Sequence, residues 1–260
     1  MRATLFILLS ILFFEVVFAT SYLHQKEEAL PSPELQITLF GLTPPQPAKL
    51  IKEALSYQTV PFFYPSQEIT LKVEGEMLLA HINKIYTLLS WYVPSNLVSL
   101  EGGVKTVGPE TIQKIVIPHL KDLFMAVEKS CGCKIAVLSA YRSYQTQIAV
   151  YNWWVAQVGR YYADLGSARS GHSEHQLGTT VDLTSSTVGY ELTRNFGFTC
   201  EGRWLEKNAH KYGFVLSYPK GKDGITGYLW EPWHFRFVGK EVAGEVYRKG
   251  ITLEEYFSSR

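Results

Sequence analysis

The imidazoles of His175 and His234 and the carboxylates of Asp182 and Glu231 sit in two short runs far apart along the chain, Ser173-Glu174-His175-Gln176-Leu177-Gly178-Thr179-Thr180-Val181-Asp182 and Glu231-Pro232-Trp233-His234. A fold that uses them together must bring both runs to one place. Their residue types fit an open-sided zinc site, because a catalytic zinc keeps three protein ligands, a water in the fourth position and a carboxylate beside that water to move its proton. His175, Asp182 and His234 can fill the ligand places, and Glu231 is the candidate base.

Each half of this pattern is weak alone. His175 and Asp182 are seven apart with Gly178 between them, so a turn can set the histidine beside a carboxylate on a strand, but a surface histidine and a solvated acid share such spacing. Thr180 to Thr184 reads as that strand, with Val181 and Leu183 on one side and Asp182 on the other. His234 stands among Trp233, Phe235 and Phe237, where its ring nitrogens need partners. Pro232 has no N–H for a ladder and suits the place where a strand starts, leaving Glu231 at its mouth. Attack on a carbonyl builds negative charge on oxygen, and Arg142, at the end of the apolar run Lys134 to Tyr141, is the candidate donor for it. The plain alternative is an arginine reaching out to solvent.

Composition narrows the class. A chain of 260 residues with 46% hydrophobic and 14% aromatic residues can bury a substantial core, and a net charge of +1 creates no broad field for nucleic acid or an anionic membrane surface. Met1-Arg2, the apolar stretch Ala3 to Phe14 and the ending Val17-Phe18-Ala19 mark residues 1–19 as a cleaved export signal, or a retained N-terminal anchor that would tether the chain to a membrane. The expected location is therefore periplasmic, cell-wall or extracellular. Cys131, Cys133 and Cys200 cannot all pair within one chain; a bridge from one of the first two to Cys200 is the better-placed option, and a cysteine zinc site lacks a visible fourth ligand.

Seven of the twelve prolines fall between Pro31 and Pro65, which makes residues 20–75 an extended linker region before a catalytic domain over 76–260. Within that domain the apolar spacing predicts helices over 76–93 and 110–129, the latter bent at Pro118. It predicts a strand over 134–141 and a Ser143-capped helix, with Ile148, Tyr151, Val155 and Val158 on one face, ending at Gly159. A helix over 203–212 and strands over 214–218 and 228–238 follow. Strands and helices mix without a regular βαβ repeat, so the fold class is α+β, a small antiparallel sheet with flanking helices. His172 reads as a loop histidine near solvent, or a donor behind the metal ligands.

Four runs together resemble the VanY-type D-alanyl-D-alanine carboxypeptidases: Leu138 to Gln147, Ser167 to Leu183, Trp204 to Phe214 and Ile225 to Gly239. The resemblance covers about residues 76–260, in the family's order. It implies the zinc fold shared by D-Ala-D-Ala peptidases, lysostaphin-type peptidases and hedgehog domains, and a serine-independent zinc metallopeptidase that trims D-alanine from peptidoglycan stem peptides; separately, the chain is expected to be a monomer. By the same likeness His175, Asp182 and His234 hold zinc, Glu231 is the base and Arg142 steadies the oxyanion. Gln147, Ser173 and Tyr218 would contact substrate. Ser170 and Thr180 depart from the proline and alanine common among relatives. An L,D-carboxypeptidase acting on tetrapeptide stems, a cross-bridge endopeptidase and a non-catalytic wall-binding module remain the alternatives.

Overall fold

A computed structural model describes residues 63–71 and 78–260; the export segment 1–19 and the linker region 20–75, apart from 63–71, lie outside the described residues. Among the described residues no helix is long and apolar enough to cross a membrane. Residues 63–71 carry β1 (Ile69–Thr70), which runs parallel to β2 (Tyr86–Thr87), while β3 (Leu97–Ser99) and β4 (Thr111–Gln113) form an antiparallel pair. Then come α1 (Ile117–Cys131), β5 (Ile135–Ser139), α2 (Tyr144–Gly166) and β6 (Thr180–Ser185). The chain continues through α3 (Cys200–Asn208), β7 (Phe214–Leu216), α4 (Asp223–Thr226), β8 (His234–Phe237), α5 (Lys240–Lys249) and α6 (Leu253–Ser258).

The central sheet has the order β5-β6-β8-β7 and every neighbouring pair is antiparallel, the arrangement the mixed pattern predicts. Alternation along its strands sends Val137, Val181, Leu183, Phe235 and Phe237 to one face, where they join Leu120, Leu123 and Val127 of α1 and Leu205 of α3. Each such side chain contributes roughly 1.5–3 kcal/mol on leaving water. The opposite face receives Asp182, His234 and Arg236, which are also buried and so need polar partners there.

Three expectations about helices are corrected. The described part of the 76–93 segment is turns and β2, because the Asn83 side chain accepts the backbone N–H groups of Ile85 (2.7 Å) and Tyr86 (2.8 Å), a local turn that competes with helix. Pro118 does not bend a helix begun at 110: it sits in the first turn of α1, and Thr111–Gln113 are spent on pairing with β3. Gly159 breaks α2 (φ 77°, ψ 159°), yet helix resumes to Gly166; the buried side is Gln147, Val150, Trp153 and Val158, while Ile148, Tyr151 and Val155 are half-buried. The Ser143 cap is present, its side chain accepting from Thr146 N.

Candidate metal centre

Register brings the two distant runs together. In the β6–β8 ladder Asp182 and His234 are direct cross-strand partners, and such pairs hold their Cβ atoms about 4.5–5.5 Å apart. Ser139 of β5 faces Asp182 from the other side, next to an irregularity in the ladder, so the chain leaves β5 through Ala140, Tyr141 and Arg142 at the same edge. His175 enters from a 3-10 turn (Glu174–Leu177) closed by left-handed Gly178 (φ 68°), where a Cβ would come within 2.9 Å of Leu97. Gly171 ahead of it has φ 87°, and a Cβ there would lie 2.3 Å from Thr87 Oγ1, so the loop lies flat against β2 only with glycine at this position.

The ring orientations are fixed from behind. His175 Nδ1 bonds to the Ala140 carbonyl (2.5 Å), which makes it the N–H side and leaves Nε2 as a bare acceptor 3.1 Å from Asp182 Oδ2. His234 Nε2 lies 2.9 Å from Glu174 Oε2, which turns Nδ1 toward Asp182 Oδ1 (3.2 Å) and Glu231 Oε2 (3.6 Å). His175, Asp182 and His234 are 0%, 2% and 4% exposed. His175 Nε2 and Asp182 Oδ1 are buried without a hydrogen bond, although charged or polar atoms crowd them. Converging buried donor atoms are what a cation would satisfy: one donor atom from each of the three residues lies within 4.8 Å of the others. Two imidazoles and a carboxylate are the donor chemistry of zinc, and the residues present fit it.

The field around the donors is negative. Burial alone would raise Asp182, but the flanking imidazoles of His175 and His234 hold its carboxyl far below the ordinary range. Burial opposes charge on His234 too, and its carboxylate neighbours Asp182 and Glu174 outweigh that and push it up; burial and Arg142 push His175 down. Burial, with repulsion from Asp182, raises Glu231 to about 7, a value suited to taking and returning a proton near neutrality. Arg142 Nη2 stands 3.7 Å from Asp182 Oδ2, and its Nε is buried with no hydrogen-bond acceptor. These groups and Gln147, Ser173 and Tyr218 line one pocket, so the structure brings every site residue read from the sequence to the same cavity.

The family model described as VanY, D-alanyl-D-alanine carboxypeptidase, matches residues 109–240. The Bacillus subtilis (strain 168) protein YodJ is 42% identical over 187 residues, covering 70% of this chain and 67% of its own. The chain belongs to the VanY family. Among solved structures, the LdcB LD-carboxypeptidase matches with a TM-score of 0.68 at 38% identity, covering 77% of this chain and 94% of that one. A vancomycin-resistance D,D-pentapeptidase VanY mutant in complex with Zn(II) matches with a TM-score of 0.58 at 34% identity, covering 70% and 99%. The chain spans about two thirds or less of the length of the curated relatives it matches.

Sequence reasoning missed the support behind these VanY motifs. Glu174 is buried and takes hydrogen bonds from Ser217 Oγ (2.6 Å) and Arg236 Nη1 (2.9 Å) besides facing His234; burial alone would raise it, but the Arg236 charge and these bonds hold it down to about 2. Arg236, wholly buried, also donates to the carbonyls of Ala80 (2.6 Å) and Leu78 (3.1 Å). The signal was available: Arg236 is two residues after His234 and so shares its face of β8, where an arginine between two phenylalanines demands an acid. His172 is a correction. It is 2% exposed, its Nδ1 bonds to the Asn83 carbonyl (2.7 Å), and Tyr64 packs edge-on against it at 4.9 Å, so it is a buried tie between the motif loop and preceding chain rather than a solvent-facing histidine.

Proposed function

We propose that this chain is an exported zinc carboxypeptidase that removes C-terminal D-alanine from peptidoglycan stem peptides. The observation that carries the reading is the set of buried donors of His175, Asp182 and His234, of which His175 Nε2 and Asp182 Oδ1 lack a hydrogen bond, with Glu231 and Arg142 at its margin. Bound there, zinc would supply Lewis acidity and an activated water. Glu231 takes the proton from the attacking water and returns it to the leaving amine, a role its position beside His234 and its raised affinity for protons support. Arg142 donates to the carbonyl oxygen as charge builds on it.

Substrate contacts follow from unfilled hydrogen-bond capacity. Gln147 gives its amide N–H to the Ala168 carbonyl (2.7 Å), and its buried Oε1 has no donor, so it suits a backbone N–H of the peptide rather than a terminal carboxylate. Ser173 is the hydroxyl that can reach a carboxylate, and Tyr218, its ring 4.7 Å from that of His234, forms an apolar wall. The segment 1–19 would direct the domain to the wall, with an uncleaved segment tethering it to the membrane; we expect a monomer.

A second reading differs only in the residue before the cut. The likeness to the LD-carboxypeptidase is higher in TM-score and identity than that to the D,D-pentapeptidase, which favours tetrapeptide stems as an additional or main substrate. The test is to incubate the protein, with and without a chelator, with pentapeptide and tetrapeptide muropeptides and weigh the products. Loss of one alanine mass, abolished by chelation, supports the reading and identifies the bond; intact substrates in both cases, from protein that carries zinc, leave a binding module.

A further inference from the structure

A second group of metal-type donors lies away from the zinc ligands. Cys131 is the last residue of α1, Cys133 follows left-handed Gly132 (φ 66°), and Cys200 opens α3 behind its Thr199 cap. All three are free thiols, and their sulfurs lie within 4.8 Å of one another. They belong to the end of the β5–β6 ladder where Ile135 pairs with Ser185, whereas Asp182 pairs with Ser139 at the other end. At about 3.3 Å of rise per residue the two ends are roughly 13 Å apart, so the sulfurs and the His-Asp-His set are separate centres. Glu201, 1% exposed, accepts a hydrogen bond from Ser185 Oγ and borders the Cys133 thiol, placing an anionic oxygen beside the sulfurs.

We propose that Cys131, Cys133 and Cys200 form a second metal site, in which three thiolates hold a thiophilic d10 cation such as Cu(I) or Zn(II). Soft sulfur donors select such ions over magnesium or calcium. An ion centred among three sulfurs at about 2.3 Å from each sets them roughly 4 Å apart, so the triangle needs only slight closing. The Cys-x-Cys spacing with glycine in the left-handed region is what lets two sulfurs from one chain turn converge, and Cys200 completes the triangle from the facing helix. A single bridge would use two sulfurs and leave the third idle; a cation engages all three. As each metal–sulfur bond forms, the S–H proton passes to solvent, and sulfur keeps its oxidation state. Burial and the Cys200 thiol push Cys131 up, and burial with the Cys131 thiol and Glu201 pushes Cys133 to about 12, a cost that a central positive charge relieves. Glu201 is placed to supply the fourth ligand that Zn(II) requires and trigonal Cu(I) does not.

The full chain, loaded with one equivalent of zinc and reduced with a phosphine, is titrated anaerobically with Cu(I) in one arm and further Zn(II) in another. Expected is a second equivalent by elemental analysis, accompanied for Cu(I) by a sulfur-to-metal band in the near ultraviolet. Cys133→Ser and Cys200→Ser each lose that equivalent while keeping the first and its hydrolytic activity, which also reports that they fold. Uptake in one arm names the ion. The proposal is overturned if wild-type protein with three titratable thiols takes up no second equivalent in either arm. It is equally overturned if the protein as isolated carries a disulfide within the cluster that accounts for two of the thiols.

Discussion

Glu174 Oε2 lies 2.9 Å from His234 Nε2, so a buried carboxylate anchors one edge of the ring and leaves Nδ1 facing Asp182. The same carboxylate is gripped by Ser217 and by Arg236, whose other nitrogen holds the Ala80 and Leu78 carbonyls of the chain leading to β2. A partner behind a metal-binding imidazole fixes its tautomer and raises its basicity. Glu174→Gln is expected to weaken zinc about 10–100-fold in a chelator competition, as losses behind metal ligands do. Glu174→Ala should in addition destabilise the fold by about 3–5 kcal/mol in denaturant melts, because Arg236 is left buried without its acid. Unchanged zinc affinity in Glu174→Gln would remove Glu174 from the metal centre's support.

Glu231→Ala should bind one equivalent of zinc as tightly as the unmodified chain and lose hydrolysis by at least about 100-fold, the lower end of what a positioned general base contributes. Zinc by elemental analysis and D-alanine release from muropeptides decide it. Residual full activity would assign the proton transfer to another group.

His175→Ala and His234→Ala should lose metal and activity together, since each removes one of three donors. Isothermal zinc titration of the two variants is the check, and full affinity in either would show the ligand set to be wrong.

Glu110, unnoticed in the sequence, accepts the backbone N–H of Ala140 (2.7 Å), the residue whose carbonyl holds His175. Burial raises its carboxyl to about 7, against the pull of that hydrogen bond and of Arg142. Between the unfolded value, about 4.3, and 7 the folded chain keeps a proton that the unfolded chain releases. Its contribution to stability is therefore complete below the unfolded value and disappears as pH rises through 7. Glu110→Gln keeps an acceptor for Ala140 and cannot ionise, so its melting temperature should fall less than that of the unmodified chain between pH 4.5 and 7. Parallel slopes would contradict the assignment.

The candidate site residues were legible in the sequence because their chemistry is local: His175, Asp182, Glu231 and His234 stand in runs whose periodicity marks a strand edge, and Asp182 and His234 prove to be cross-strand partners. The apolar face of β6, with Val181 and Leu183 opposite Asp182, was equally readable from alternation. The segment before Pro94 was not, because its helical spacing is overridden by the Asn83 side chain and by pairing with β1, interactions that spacing does not record. Glu174 and Glu110 were missed for a related reason: each works through a residue distant in sequence, and a single buried charge looks like a surface one until its partner is in view, whereas Arg236 was marked by its place between Phe235 and Phe237.

The most direct measurement is X-ray diffraction at the zinc absorption edge from crystals of the zinc-loaded protein. A strong anomalous peak about 2.0–2.2 Å from His175 Nε2, His234 Nδ1 and an Asp182 oxygen, with Glu231 outside bonding distance and the fourth corner open to solvent, is the expected result. No peak among these three side chains, or a fourth protein group closing the coordination sphere, would contradict the hydrolytic centre.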